Sequence, residues 1–456
     1  MRVFLNILWL ALTLGIALPA WAEEAGRSGN AAVHYWCAAA ELRHPANEQE
    51  DKVLDDIEAR TFLGPKFFIE SHADVAFLEQ DLRPGAAIDM LHIGAACAQC
   101  DFEVAAMDGG AIPPMKILRD LGRHAWAAAT MLEGQENLEH AAQVHADAVL
   151  FSVHLCQCPA IAYALTGTAV LQGSLGGINE FLARKPGKEP IRAMMVRLIE
   201  MPSRPLSFSG STANEARRVP LTLKLEKRFT DAYLDDSLQA MDNDLTGLGM
   251  AFKVFPEMGA NYKTLIEQLR SIKPDERAAA YGKWADQVGE ELSELAKAGE
   301  GSFAEARPRV TARIEHMKEL GKPAAGHTYP ENPLLGQFVY SGTLHASFAV
   351  SNARMAMSKI LLAAALHEAE TRQYPTSLET LREYFPQGLP KDPFTESDFE
   401  YKVEAGLPVV AAHPPEDVRR EYRWDFRISL AEILKKQAEN LERYRKETSS
   451  SPANTH

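Results

Sequence analysis

Five cysteines hold most of the chemical potential of this chain: Cys37 alone, Cys97 and Cys100 as C-A-Q-C, and Cys156 and Cys158 as C-Q-C with His154 just before them. Thiolates and imidazole are zinc ligands. A tetrahedral site could draw its donors from Cys97, Cys100, His154, Cys156 and Cys158 if the two segments meet. The same thiols could close a structural disulfide, within one cluster or between the two, or stay reduced as small packing side chains. On a helix, Cys97 and Cys100 share a face at i,i+3. Cys156 and Cys158, at i,i+2, diverge on a helix and act together only in the turn ahead of Pro159. A redox motif wants C-x-x-C beside a strand and opening a helix, and the surroundings here are alanine-rich and helical in pattern. The odd count leaves one thiol over.

Other tempting groups fall short of a catalytic signature. His367-Glu368 opens like the zinc-protease helix, but Thr371 stands where the second histidine must be. Asp235-Asp236 and the pair Asp242 and Asp244 lack the glycine and terminal glutamate of a calcium-binding loop. Gly173, Gly176 and Gly177 follow an apolar run without the Lys-Ser/Thr of a phosphate loop, so close helix packing is their expected use. Ser207, Ser209 and Ser211 have no G-x-S-x-G elbow around them. No catalytic residue and no cofactor is assigned from these residues, with zinc at the cysteine and histidine cluster as the one option.

The elements that must position these groups are mostly helical. Asn30–Leu42 and Glu48–Ala59 read as helices, and Leu118, Ala125, Ala129 and Leu132 mark one buried face. Gly134 sits where a C-cap belongs, and Leu138, Ala141, Ala142 and Val149 carry the next helix. Pro159 fits the first turn of a third helix, running to about Ala183. Alanine at the contact positions allows close antiparallel packing, so the expectation is a repeat-like array of helical hairpins. Pro202–Ala213 reads as a loop. Leu221–Met241, Tyr262–Ser271, Pro274–Ala298 and Phe303–Leu320 read as helices, with Trp284, Val288, Leu292 and Leu295 as a core stripe. Asn332-Pro333 restarts the chain as a cap and first turn of a long helix to about Gln373, with a possible break near Gly342.

Composition and the first residues set the expected address. Val3–Leu18 is apolar but for Asn6, and Ala20-Trp21-Ala22 offers small residues where a signal peptidase cuts. Export with cleavage near Ala22 is expected, to a periplasmic or extracellular space, with no membrane-spanning segment in the mature chain. A net charge of −14 argues against nucleic acid or an anionic membrane surface, since both need clustered Lys and Arg. The expected divisions are a signal peptide at 1–22, an N-terminal helical domain at 23–201, a second helical region at 202–330, a long helix with a small α+β domain at 331–429, and an amphipathic helix with a disordered tail at 430–456.

One stretch carries a resemblance. A helix ending in Tyr374-Pro375 is followed by Leu378, Leu381, Phe385, Leu389-Pro390, Asp392-Pro393-Phe394, Phe399 and Tyr401. This run resembles the C-terminal region of type II secretion major pseudopilins, which implies a long helix, a short helix, a D-P turn and a small antiparallel sheet. The wider chain, with N-A-A-V-H-Y-W at Asn30 and N-P-L-L at Asn332, is similar to a family of exported bacterial proteins of unknown function, which transfers no catalytic residue. Two departures stand out. The chain opens with an ordinary signal peptide in place of a pseudopilin leader, and Gly406 is followed by Leu407-Pro408-Val409-Val410 where pseudopilins carry a Gly- and Asp-rich calcium loop, so no calcium ligand is assigned. Tyr422–Ile428 reads as a further strand, and Leu430, Ile433, Leu434, Leu441 and Tyr444 as one face of a docked helix. The expected function is that of a noncatalytic, exported helical scaffold binding a protein partner in the cell envelope. A metal- or thiol-dependent enzyme and an accessory of a secretion or pilus-like system are the alternatives.

Overall fold

The computed structural model describes residues 29–42, 85–100, 115–158, 161–202, 204–225, 229–232, 234–235, 239, 256–338, 341–422 and 426–450. The signal peptide expected at 1–22, the helix expected at Glu48–Ala59, and Pro159, Asp236, Asp242 and Asp244 lie outside them. The described residues form a mainly helical protein of fourteen α-helices with one small three-stranded antiparallel sheet near the C-terminus.

Asn30 starts α1 (Ala31–Glu41) by accepting a hydrogen bond from Ala32 N at 3.1 Å on its side-chain oxygen. α1 lies against α2 (Ala86–Ala96), and the approach depends on Gly94: a Cβ there would stand 2.5 Å from the Tyr35 ring.

α3 (Met115–Gly134), α4 (Leu138–Gln157), α5 (Ile161–Ala183) and α6 (Lys188–Ile199) follow, and α4 packs on α2, α3, α5 and α6. Alanine makes this crowding possible, with Ala141, Ala142, Ala146 and Ala148 all buried on α4. Leu118, Ala125, Ala129 and Leu132 are buried on α3, as their spacing predicts. Gly122 of α3 is a notch for Val170 of α5: a Cβ at residue 122 would meet Val170 Cγ1 at 2.2 Å. Gly134, expected at the C-cap, is the last helical residue. It closes the last turn of α3, the left-handed residue is Glu136 at φ 61°, and Asn137 N donates back to Leu132 O at 2.9 Å.

The expected loop at Pro202–Ala213 is shorter, because α7 (Phe208–Leu225) already begins inside it. Ser207 Oγ accepts from Gly210 N at 3.0 Å, a local cap that competes with the loop reading of a serine-rich stretch. α7 contains Pro220 and pairs with α9 (Arg277–Ala298), where a Cβ on Gly289 would stand 2.6 Å from Pro220 Cγ. The stripe Trp284, Val288, Leu292 and Leu295 is core. α8 (Pro256–Ser271) precedes α9, and α10 (Phe303–Leu320) opens with a full capping box between Ser302 and Glu305. Asn332 caps the short α11 (Leu335–Phe338): its Oδ1 accepts from Leu334 N at 3.0 Å and its Nδ2 donates to Trp284 O at 2.9 Å.

α12 (Ser341–Thr371) is the spine, and it packs against α5, α6, α7 and α10. Its polar side chains clip the connection between α6 and α7. Asn352 donates to Leu206 O at 2.9 Å and accepts from Leu206 N at 3.2 Å, while Lys359 Nζ donates to Met201 O at 2.8 Å. Burial pushes the Lys359 ammonium down to about 8.

After Pro375 comes a 3₁₀ helix at Leu378–Tyr384, then β1 (Glu400–Glu404) and β2 (Leu407–Ala411). Ala405 and Gly406, both at positive φ, make the two-residue turn between the strands. Of the strand expected over Tyr422–Ile428, residues 423–425 lie outside the described residues; Arg427–Ser429 form β3, and Tyr422 caps a short helix, α13 (Glu416–Glu421), that precedes it. α14 (Leu430–Ser450) packs on α5 and β2, and it stays helical through Thr448, where a disordered tail was expected to begin. Asp392, fully buried, ties the D-P turn to the segment after β2 by accepting from Phe394 N at 3.0 Å and His413 N at 2.7 Å. Among the described residues no helix is long and apolar enough to cross a membrane.

Candidate functional site

Of the cysteine and histidine candidates, Cys97, Cys100, His154 and Cys158 lie around Tyr35, a residue the sequence did not single out. Tyr35 is fully buried, its ring meets Phe151 edge-on at 4.6 Å, and its hydroxyl donates to His154 Nδ1 at 2.6 Å. Burial pushes the His154 imidazole down to about 4, which fits a neutral ring with Nδ1 as acceptor. Burial likewise holds the Tyr35 hydroxyl well above its ordinary value, and Cys100, Cys97 and Cys158 lie near enough to reinforce the effect.

The thiols themselves are used locally. Cys97 Sγ donates to Ile93 O at 3.5 Å and Cys158 Sγ to His154 O at 3.3 Å. Cys156 turns the other way, toward α5, where it donates to Ala164 O at 3.7 Å and sits over Gly167. Two expectations are corrected here. Cys97 and Cys100 do not share a helix face, because α2 stops at Ala96 and Cys97 is its extended C-cap. Among the described residues no disulfide is present: Cys37, Cys97, Cys100, Cys156 and Cys158 are all unbridged thiols. The physical reason is visible at Cys156 and Cys158, one inside the last turn of α4 and the other its cap, facing different carbonyls. Among the described residues no group of three or more His, Cys, Asp or Glu side chains is arranged to hold a metal ion. Burial raises the Cys97 and Cys156 thiols, which keeps them protonated and weakly nucleophilic.

Beside this centre lies a second group that sequence reading missed. His92 of α2 shares a hydrogen bond with Asp147 of α4, Nδ1 to Oδ2 at 2.8 Å, and Arg197 of α6 forms an ion pair with Asp147 Oδ1. Asp147 is almost completely buried, and burial raises its carboxyl against the opposing hydrogen bond from His92 and charge of Arg197. A His–Asp pair of this kind can orient a general base. Among the described residues, however, no serine, threonine or cysteine is hydrogen-bonded to His92. The signal for this group was a lone carboxylate in the alanine-rich run of α4, since an unpaired charge is rarely buried.

A third buried group ties α3 to α4 and to the end of α5. His145 Nε2 meets Glu133 Oε1 at 2.9 Å, and Arg184 Nε donates to Glu133 Oε2 at 3.0 Å. Gly177 makes room for it, since a Cβ there would stand 2.8 Å from Trp126 Nε1 and 3.0 Å from His145 Cε1. All three groups fasten neighbouring helices together. Comparison with protein-family models, with curated proteins and with solved structures returns no match.

Proposed function

We propose that this chain is an exported, noncatalytic scaffold of the cell envelope, whose helical body holds a partner-binding surface in place. The observation that carries the reading is the fate of its reactive groups. Tyr35, His154, the cysteine thiols of α2 and α4, and Asp147 are directed at one another or at backbone carbonyls, inside the protein. The helices from α3 to α6 support the reading of a repeat-like hairpin array, built on alanine contacts.

Residues 331–429 form, in this proposal, a pseudopilin-like module. What supports it is the order of parts: a long helix ended by Pro375, a 3₁₀ turn, a D-P turn locked by Asp392, and an antiparallel hairpin. Unlike a free pseudopilin helix, α12 is enclosed along most of its length, so the module would present its sheet and not its helix. Val403, on the edge strand β1, is among the exposed large hydrophobic side chains, together with Val33, Leu165 and Val196.

Photo-crosslinking residues placed in cells at Val403, Val33, Leu165 and Val196 test this. A discrete protein adduct from at least one of these positions is the expected result, and secretion or pilus components as its content would favour the accessory alternative. Silence at all four positions would overturn the scaffold reading. Stoichiometric zinc in protein purified without added metal, lost on Cys100→Ser with Cys156→Ser, would favour the metal-dependent alternative instead.

A further inference from the structure

Between α5, α12, β3 and α14 lies a half-enclosed cavity of about 170 Å³. It is smaller than the roughly 300–1,000 Å³ of sites for drug-sized ligands, so an occupant must have few heavy atoms. Gly176 forms part of its wall: a Cβ there would meet nothing within 4 Å, unlike Gly177 beside it. One turn on, Asn179 lines the cavity at only 2% exposure, and its Oδ1 accepts no hydrogen bond among the described residues.

The charges around it are divided. Glu180, next to Asn179, accepts from Gln437 Nε2 at 2.8 Å. Burial pushes its carboxyl up to about 7 although Arg184 and that hydrogen bond act the other way. Arg354 comes from α12 and Lys436 from α14, and Arg427 pairs with Glu404 and Glu432. The cavity thus pairs an acceptor side, Asn179 and Glu180, with two cationic side chains from different helices.

We propose that this cavity binds a small zwitterion of the α-amino acid class, its ammonium on Asn179 Oδ1 and the Glu180 carboxylate and its carboxylate toward Arg354 and Lys436. An ammonium would supply the missing donor to Asn179 and neutralise Glu180. α14 would then fasten the ligand as well as the fold, because Gln437 and Lys436 both belong to it.

Isothermal titration of the full chain with each protein amino acid in turn tests the inference, with acetate and ethylamine as probes carrying one half of the chemistry each. The expected result is saturable binding of one or a few small amino acids, with acetate and ethylamine at least tenfold weaker. Gly176→Leu, which fills the cavity without removing a polar group, should weaken that binding more than tenfold while the helical circular dichroism is retained. Absence of saturable binding by every amino acid overturns the proposal, as does equal binding of either half-probe. Should Gly176→Leu fail to fold, the ranking of amino acid over half-probes in the unaltered chain still decides.

Discussion

His154 and His345 are imidazoles enclosed by aromatic rings, the first beside Tyr35 and the second stacked on Phe303 at 4.8 Å with Phe208 edge-on at 5.0 Å. Burial pushes both down to about 4, and at His345 the nearby Arg307 adds to it. In the unfolded chain both titrate near 6.5. Their folded values are the lower ones, so their contribution to stability is complete above 6.5 and is lost as pH falls toward 4. Each is worth about 3 kcal/mol over that window. Glu180 acts in the opposite sense: its folded value is raised, so its contribution is present below 4.5 and lost as pH rises through about 7. Urea unfolding at pH 7 and pH 4.5 should therefore show a net loss at the lower pH, smaller in His345→Leu and larger in Glu180→Gln. A loss of the same size in His345→Leu would remove that residue from the account. None of this was legible beforehand, because a histidine in sequence does not announce the rings that will close over it.

At the scale of elements, the clip between α12 and the segment Met201–Leu206 is the point most open to test. Asn352 satisfies both backbone groups of Leu206, which are buried where the segment crosses the spine. Asn352→Leu should cost about 2–4 kcal/mol, since two buried backbone groups lose their partners, and the loss is readable as a lowered urea midpoint. A cost within 0.5 kcal/mol, the range of ordinary surface changes, would show that Leu206 finds other partners. Periodicity made α1, α3, α4, α9 and α10 legible, because each has a regular buried face. It failed at the start of α7, where the prolines and serines of Pro202–Ala213 read as a loop, and the fact that lets α7 pack with Pro220 inside it, Gly289 on the facing helix, lies far off in sequence. It also failed at α13, a single short turn of charged residues.

For the molecule as a whole, the buried face of α12 matters more than its place in the chain. Its residues from Leu344 to Leu366 are largely enclosed, and the enclosing surfaces come from α5, α6, α7 and α10. A chain ended at Pro330 should consequently lose cooperative unfolding and bind hydrophobic dyes, whereas one ended at Ser429 should keep the spine and expose only the α5 and β2 surfaces beneath α14. A sharp thermal transition in the Pro330 truncation would show instead that the preceding helices fold alone. The site candidates were legible as residue types but not as an arrangement: Cys97, Cys100, His154 and Cys158 do converge, yet on a tyrosine from a helix far ahead of them.

Gly122 and Val170 fit as notch and knob, with side-chain atoms alone filling the space a methyl group would need. Such a fit has no preferred owner. Among relatives of this chain, a larger residue at the position of Gly122 would be tolerated together with a smaller one at the position of Val170, and seldom without it. The two positions should therefore drift as a couple, leaving a covariation signal between α3 and α5 that would report their contact from sequences alone.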